Sequence, residues 1–312
     1  MDLSTLRERQ AWTLSQKIDH SLGTIDQFYS YYNGKVFVSF SGGKDSTVLA
    51  KLARIIDPNI KCVFVNTGCE YPDIVRFVNE CKEDGMNVDI LRPEMTPRHV
   101  WEKYGFPIGS KEIAEMVESI RRNPNNIKSK NALGVNNSHS VFQLNKRYYY
   151  LIHERYNTSN KCCDILKKKP SHRYEKETGL HPIIGTLADE SRLREKTYLR
   201  RGGCNVFKER PSSHPLSIWM EKDIWDFIKM YDIKLADIYY KGVMRTGCVA
   251  CGFGCQFRND RRLEILYSQY PKYYQMIMSF MNNGVTYREA IRKLIAISGK
   301  ALPDEDTQLT LF

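Results

Sequence analysis

SFSGGKDS, residues 39–46, follows the short apolar run KVFV, and it holds the chain's densest set of residue types able to do phosphate chemistry. A glycine-rich turn between a strand and a helix lets backbone N–H groups converge on one point, where the positive end of the helix also favours an anion. Phosphate suits that point. Ser39 opens the loop, Ser41 and Ser46 bring hydroxyls, Gly42 and Gly43 permit close backbone approach, Lys44 supplies a point charge and Asp45 can orient magnesium or the loop. A bare tight turn is the bland alternative, and the strand before and helical pattern after argue against it. The spacing is not G-x-x-x-x-G-K-[ST], so this is not a Walker A loop.

Further candidates recur down the chain. Asn66, Thr67 and Glu70 follow the apolar run KCVFV, which puts them at the carboxyl rim of a sheet, where open α/β folds bind ligands; a polar turn capping the next helix is the plain alternative. In GTLADESRLR (185–194), Gly185, Ser191, Arg192 and Arg194 can hold a phosphate or a second anion, and Glu190 is a metal or base candidate. Nine cysteines, an odd number, without a secretion signal favour metal ligation or thiol chemistry over a disulfide framework. Cys62 and Cys81 fall within strand and helix patterns and read as core.

The elements that must position these residues show a change of period. The first thirty residues carry apolar positions at three- and four-residue spacing, predicting an amphipathic helix outside the sheet. KVFVSF, KCVFVNT and MNVDIL are then short runs rich in β-branched residues, separated by the helical segments DSTVLAKLARII and PDIVRFVNECKE. That βαβ rhythm predicts a doubly wound parallel α/β sheet, to which HPIIGTL could add a strand. Residues 121–147, rich in Asn, Ser and Lys, predict a long loop or insertion. The expected organisation is an N-terminal helix (1–34), a nucleotide-binding domain (35–232), a helical module containing a cysteine cluster (233–300) and a polar tail (301–312).

With 312 residues, 42% of them hydrophobic, the chain can bury one large core with a smaller companion. The opening MDLSTLRERQAW has no apolar signal region, and no run approaches the ~18 apolar residues of a membrane span, so a cytoplasmic protein is expected. A formal net charge of +11 favours a polyanionic partner.

SGGKDS resembles the pyrophosphate loop of the ATP pyrophosphatase (PP-loop) superfamily. VFVNTGCEYPDI (63–74), KCCDILKKKP (161–170), GTLADESRLR and HPLSIWMEKDIWDFI (214–228) resemble, in order, segments of its phosphoadenosine phosphosulfate (PAPS) reductase branch. The resemblance covers about residues 35–255. It implies an adenine nucleotide alpha hydrolase-like sheet that binds ATP with Mg2+, with Lys44 and Asp45 in the chemistry. Cys162–Cys163 together with Cys248 and Cys251 resemble the paired cysteines that hold a 4Fe–4S cluster in adenylylsulfate reductases; zinc would use the same sulfurs. Cys204 and Cys255 are then left as sulfur-carrying thiols, or as substitutes for one of the adjacent pair, whose side chains are not expected to point the same way.

Two departures steer the expectation. Leu187 stands where the family's loop carries arginine, and the chain ends PDEDTQLTLF without the reductases' ECGLH segment. The intact Lys44 and Asp45 favour splitting ATP to AMP and pyrophosphate, as in relatives that insert sulfur into DNA (phosphorothioation) or tRNA, with a cysteine desulfurase or another sulfur donor as partner. NKRYYYLIHERY (145–156) and YLRRGG (198–203) would form the nucleic-acid face, or else an ordinary amphipathic helix and a solvated loop. Gln308–Phe312, QLTLF, resembles the peptide that docks bacterial replication proteins in the sliding clamp, pointing to bacterial or phage DNA. Two other functions remain open: a sulfonucleotide reductase using Cys204 or Cys255, and a non-catalytic nucleotide-binding accessory protein recruited to DNA.

Overall fold

Three of the apolar runs become adjacent strands along one side of a mostly parallel sheet in the computed structural model, which describes residues 2–135 and 143–305. They are β1 (Val36–Ser39), β2 (Lys61–Val65) and β3 (Val88–Leu91), and the fourth expected strand forms at His181–Ile184. The helices between them are α3 (Lys44–Ile56) and α4 (Pro72–Glu83), preceded in the chain by α1 (Leu3–Gln10) and α2 (Leu14–Tyr31). Contacts divide the chain into two discontinuous units. The first comprises residues 1–66, 70–92 and 170–246, and the second residues 67–69, 93–169 and 247–312.

The first unit is the α/β sheet. Its six strands run β3, β2, β1, His181–Ile184, Ser212–Ser213, Asn205–Val206; only the last pair is antiparallel. β1 is thus flanked by strands that follow it by opposite routes, with Val38 level with Cys62 on one side and Ile183 on the other. Such a switch in winding direction opens a crevice at the carboxyl ends of the two strands. The loops that leave β1 and His181–Ile184 are the ones carrying the phosphate-type residues.

Where one N-terminal helix was expected there are two. The chain breaks before Thr13, whose hydroxyl accepts from Gln16 N (3.3 Å) while the Gln16 side chain accepts from Thr13 N (2.9 Å), a reciprocal cap that restarts the helix. α2 buries Ile25 and Phe28. It is fixed by polar anchors: Trp219 Nε1 donates to Ser21 Oγ (2.9 Å), Ser21 donates to Pro215 O (3.0 Å), and the buried Lys17 pairs with Asp223 (2.5 Å).

The second unit is mainly helical. Pro97–Tyr104, Lys111–Arg122, Arg262–Gln269, Pro271–Met278 and Tyr287–Ala296 surround an aromatic core of Trp101, Phe106, Tyr156, Tyr274 and Tyr287. Buried Asn282 ties it together: its Nδ2 donates to Trp101 O (2.8 Å) and Glu102 O (2.9 Å), and its Oδ1 accepts from Asn157 N (2.8 Å). Part of the expected insertion is ordered as the helix Ile127–Ala132, capped by Asn126. No helix among the described residues is long and apolar enough to cross a membrane.

Candidate functional site

The loop after β1 folds as its composition dictates. Gly42 adopts φ +70°, and a Cβ there would lie 2.9 Å from Ile74 Cγ2 and 3.0 Å from Val78 Cγ2, so both backbone and packing require glycine. Gly43 is the N-cap of α3, and a Cβ there would lie 2.6 Å from Thr246 Oγ1. The serines stabilise the turn from within: Ser41 N donates to Ser46 Oγ (3.1 Å), Gly43 N donates to Ser41 Oγ (3.3 Å) and Ser46 Oγ donates to Gly43 O (2.8 Å).

Lys44 is buried at the first position of α3. Its ammonium reaches Asp45 Oδ1 (2.8 Å) and Glu221 Oε1 (3.5 Å) and stands 5.9 Å from the Trp225 ring centroid. Its backbone N–H donates to the hydroxyl of Tyr239 (2.7 Å), which lies 3.1 Å from Thr246 Oγ1. The orphan N–H that makes a helix start attractive to anions is therefore held here by a phenol oxygen. Asp45 is half-buried at the loop, with its carboxylate paired to the Lys44 ammonium.

The neighbouring loop supplies the opposite wall. A Cβ on Gly185 would lie 3.2 Å from Asp45 O, so the two loops touch at backbone level. Ser191 is occupied as a helix cap, accepting from Arg194 N (3.3 Å) at the start of Arg192–Arg201. Arg192 is exposed on that first turn, Leu187 is buried, and Glu190 pairs with Arg194 (2.7 Å) and Arg245 (3.1 Å). His214 lies behind the loop, 2.9 Å from Thr186 Oγ1; burial, aided by Arg201 and Arg194, pushes its pKa down to about 3, so it is a neutral structural group. Asn66 directly follows β2, its N–H donating to Leu91 O (2.9 Å), and Glu70 is half-buried before α4. Thr67 belongs to the second unit, where its hydroxyl accepts from Cys69 N (3.1 Å).

In the second unit, Cys162, Cys163, Cys248 and Cys251 line one cavity with Cys69, Trp101 and Lys167. Both adjacent cysteines face it, contrary to the expectation that they diverge, and the helix widens directly after them into a π turn over Asp164–Lys168, a distortion common at functional sites. A hydrogen bond from Cys162, with Lys111 and Lys167 nearby, lowers the Cys163 pKa to about 6, and the same bond together with burial raises Cys162. The donor chemistry suits a soft metal. Among the described residues, however, no group of three or more His, Cys, Asp or Glu side chains is arranged to hold a metal ion.

The two leftover thiols are buried, and neither lines that cavity. Cys255 donates to Cys251 O (3.2 Å) and burial raises its pKa to about 12. Cys204, in the first unit, stands 3.8 Å from His20 Nε2, with its pKa raised by burial to about 11. In the two basic stretches, Tyr148, Tyr156 and Tyr198 are buried in the core, so those rings offer no face to a base, while Lys146, Arg147, Arg155 and Arg200 remain exposed. Gln308–Phe312 lies outside the described residues. Sequence reasoning missed Tyr239 and Thr246, which carry no motif. Glu221 and Trp225 sit in the segment quoted for its resemblance, without a role assigned.

This arrangement, a glycine loop at the carboxyl end of a switch-point strand with a lysine at the following helix start, is the place at which open α/β folds bind phosphate-bearing ligands. The family model for the phosphoadenosine phosphosulfate reductase domain matches residues 35–122 and 110–252, and the chain belongs to that family. It is 26% identical over 240 residues to an uncharacterized protein of Methanocaldococcus jannaschii, covering 74% of this chain but only 45% of that relative's length. It is 25% identical over 235 residues to adenosine 5'-phosphosulfate reductase of Staphylococcus haemolyticus, covering 73% of this chain and 74% of that one. Among solved structures, phosphoadenylyl-sulfate reductase from Candida auris in a phosphate complex overlaps 72% of this chain and 90% of its own, at 12% identity and a TM-score of 0.42.

Proposed function

We propose that the first unit binds ATP at Ser39–Ser46, with Gly185, Ser191, Arg192, Asn66 and Glu70 as further nucleotide contacts, and splits it to AMP and pyrophosphate to activate an acceptor for sulfur transfer. The observation that carries this reading is Lys44, buried at the start of α3 beside Asp45 at the glycine loop. An acceptor oxygen attacks the α-phosphorus, the bond to the β-phosphate oxygen breaks, and pyrophosphate leaves with that electron pair. The loop N–H groups and Lys44 offset the charge that develops on the leaving group; a magnesium ion, which Asp45 would hold, would supply further charge neutralisation. A sulfur nucleophile at the oxidation level of hydrosulfide then displaces AMP, which departs with the former acceptor oxygen.

The acceptor in this reading is a nucleic acid, DNA or tRNA, in keeping with the formal charge of +11 and the exposed basic residues. Cys162, Cys163, Cys248 and Cys251 are proposed as thiolate ligands, for a 4Fe–4S cluster first and zinc second, and Cys204 and Cys255 as reserve sulfur-handling thiols. Docking of the Gln308–Phe312 peptide in a sliding clamp, a separate sulfur donor and a cytoplasmic location belong to the same proposal.

A second reading, sulfonucleotide reduction, is favoured by the relatives named as adenosine 5'-phosphosulfate reductases. One experiment separates the two. Protein purified without oxygen and counted for iron, zinc and acid-labile sulfide is given ATP with and without DNA or tRNA, and in parallel a sulfonucleotide with a dithiol. Formation of AMP and pyrophosphate supports the first reading, and sulfonucleotide-dependent thiol oxidation alone supports the second. Zinc without iron sinks the cluster.

A further inference from the structure

Resting on the nucleotide reading above, we propose that Asp237–Thr246 is a strap whose two cations, Lys241 and Arg245, transfer from carboxylates onto a bound polyphosphate, and that Tyr239 holds the phosphate position until then.

The strap is fastened at points that ring the loop. Tyr239 accepts the Lys44 N–H (2.7 Å), and Thr246 packs so close to Gly43 that a Cβ there would lie 2.6 Å from its hydroxyl. Lys241 Nζ lies 3.0 Å from Asp73 Oδ1, and Asp237 lies 3.3 Å from Arg76. Arg245 lies 3.1 Å from Glu190, in the loop that meets Asp45.

The charge arithmetic at those fasteners is what makes the strap cations transferable. Asp73 is buried and is already paired with Arg76 (2.5 Å), a residue of its own helix; Glu190 is already paired with Arg194 (2.7 Å), one helical turn on. Each carboxylate therefore keeps a cation from outside the strap after Lys241 or Arg245 departs, and neither is left as the uncompensated charge that would forbid release. The strap cations are thus second partners, and a polyphosphate on α3 offers them a stronger, charge-assisted contact. The Tyr239 hydroxyl occupies the place a phosphate oxygen takes at a helix start, so an arriving anion must displace it.

The test measures binding of inorganic pyrophosphate and of ATP by calorimetry to the full chain and to Lys241→Gln, Arg245→Gln and Tyr239→Phe, with adenosine binding and thermal melting as fold controls. Each cation variant is expected to weaken pyrophosphate by roughly tenfold, the scale of one charged hydrogen bond, with adenosine unchanged. Tyr239→Phe is expected to tighten pyrophosphate by about fivefold, because a competing neutral hydrogen bond is gone. In wild type, pyrophosphate should alter the rate of trypsin cleavage after Lys241 and Arg245. Wild-type binding with both cation variants unaffected overturns the strap while leaving the nucleotide reading intact; weaker binding in Tyr239→Phe overturns its placeholder role. A wild type that binds neither ATP nor pyrophosphate refutes the nucleotide reading and the strap with it.

Discussion

Replacing Gly42 by alanine tests whether the loop is shaped by its contact with α4 or only by its backbone. The substitution forces a side chain into φ +70°, which costs about 1–2 kcal/mol for a residue with a Cβ. It also drives that Cβ to 2.9 Å from Ile74 Cγ2 and 3.0 Å from Val78 Cγ2, on the buried face of α4, where overpacking costs about 1–3 kcal/mol more. The sum is about 2–5 kcal/mol. Gly85 isolates the first contribution: it has φ +88° with nothing within 4 Å of a Cβ, so alanine there should cost only the backbone share. Urea unfolding of the two variants beside wild type measures the difference, and equal midpoints with equal slopes for both variants would refute the packing argument. Pyrophosphate binding should be lost in Gly42→Ala and retained in Gly85→Ala, since only the first displaces the loop.

Three further outcomes follow from the same structure. Lys17→Ala should destabilise by about 3–5 kcal/mol in denaturant unfolding, because it leaves the largely buried Asp223 carboxylate without its cation, with only the Met220 N–H still donating to it. Asn282→Ala should cost about 2–4 kcal/mol by the same measurement, since it leaves Trp101 O, Glu102 O and Asn157 N without their side-chain partner. His214 has a folded pKa of about 3 against an ordinary 6.5, so the unfolded chain binds the extra proton between those values. Stability should therefore fall as pH drops from 6.5 towards 3, by roughly 4 kcal/mol at the low end, and His214→Gln should flatten that slope in a pH series of unfolding midpoints.

The parts of this fold that were legible in the sequence are those specified locally. β1, its glycine turn and α3 are contiguous, and each carries its own signal: an apolar run, two glycines, then a 3.6-residue period. The same holds for α4, whose bounds follow PDIVRFVNECKE, and for the strand at His181–Ile184. The break between α1 and α2 was hidden because the apolar spacing runs through it, and only the Thr13–Gln16 cap marks it. Tyr239 could not be found from spacing, because it meets Lys44 across 195 positions of chain. Tyr148 and Tyr156 misled for a related reason: tyrosines among basic residues look alike whether their rings stack on a ligand or pack in a core, and burial decided for the core. The π turn after Cys163, which accompanies the two adjacent thiols on one cavity, is likewise not encoded in any residue spacing. The discontinuous second unit arises from contacts between segments about a hundred positions apart, beyond the reach of any window of local period.

The most direct measurement of the central claim is a single-turnover reaction with ATP labelled at the α-phosphate, using wild type and Lys44→Ala with acceptor nucleic acid supplied. The expected result is labelled AMP, or AMP bound to the acceptor, appearing in step with pyrophosphate in wild type and lost by at least a hundredfold in the variant, the order of magnitude for removing a charge that stabilises a leaving group. Equal AMP formation by Lys44→Ala, or release of ADP and phosphate in place of AMP and pyrophosphate, would contradict it.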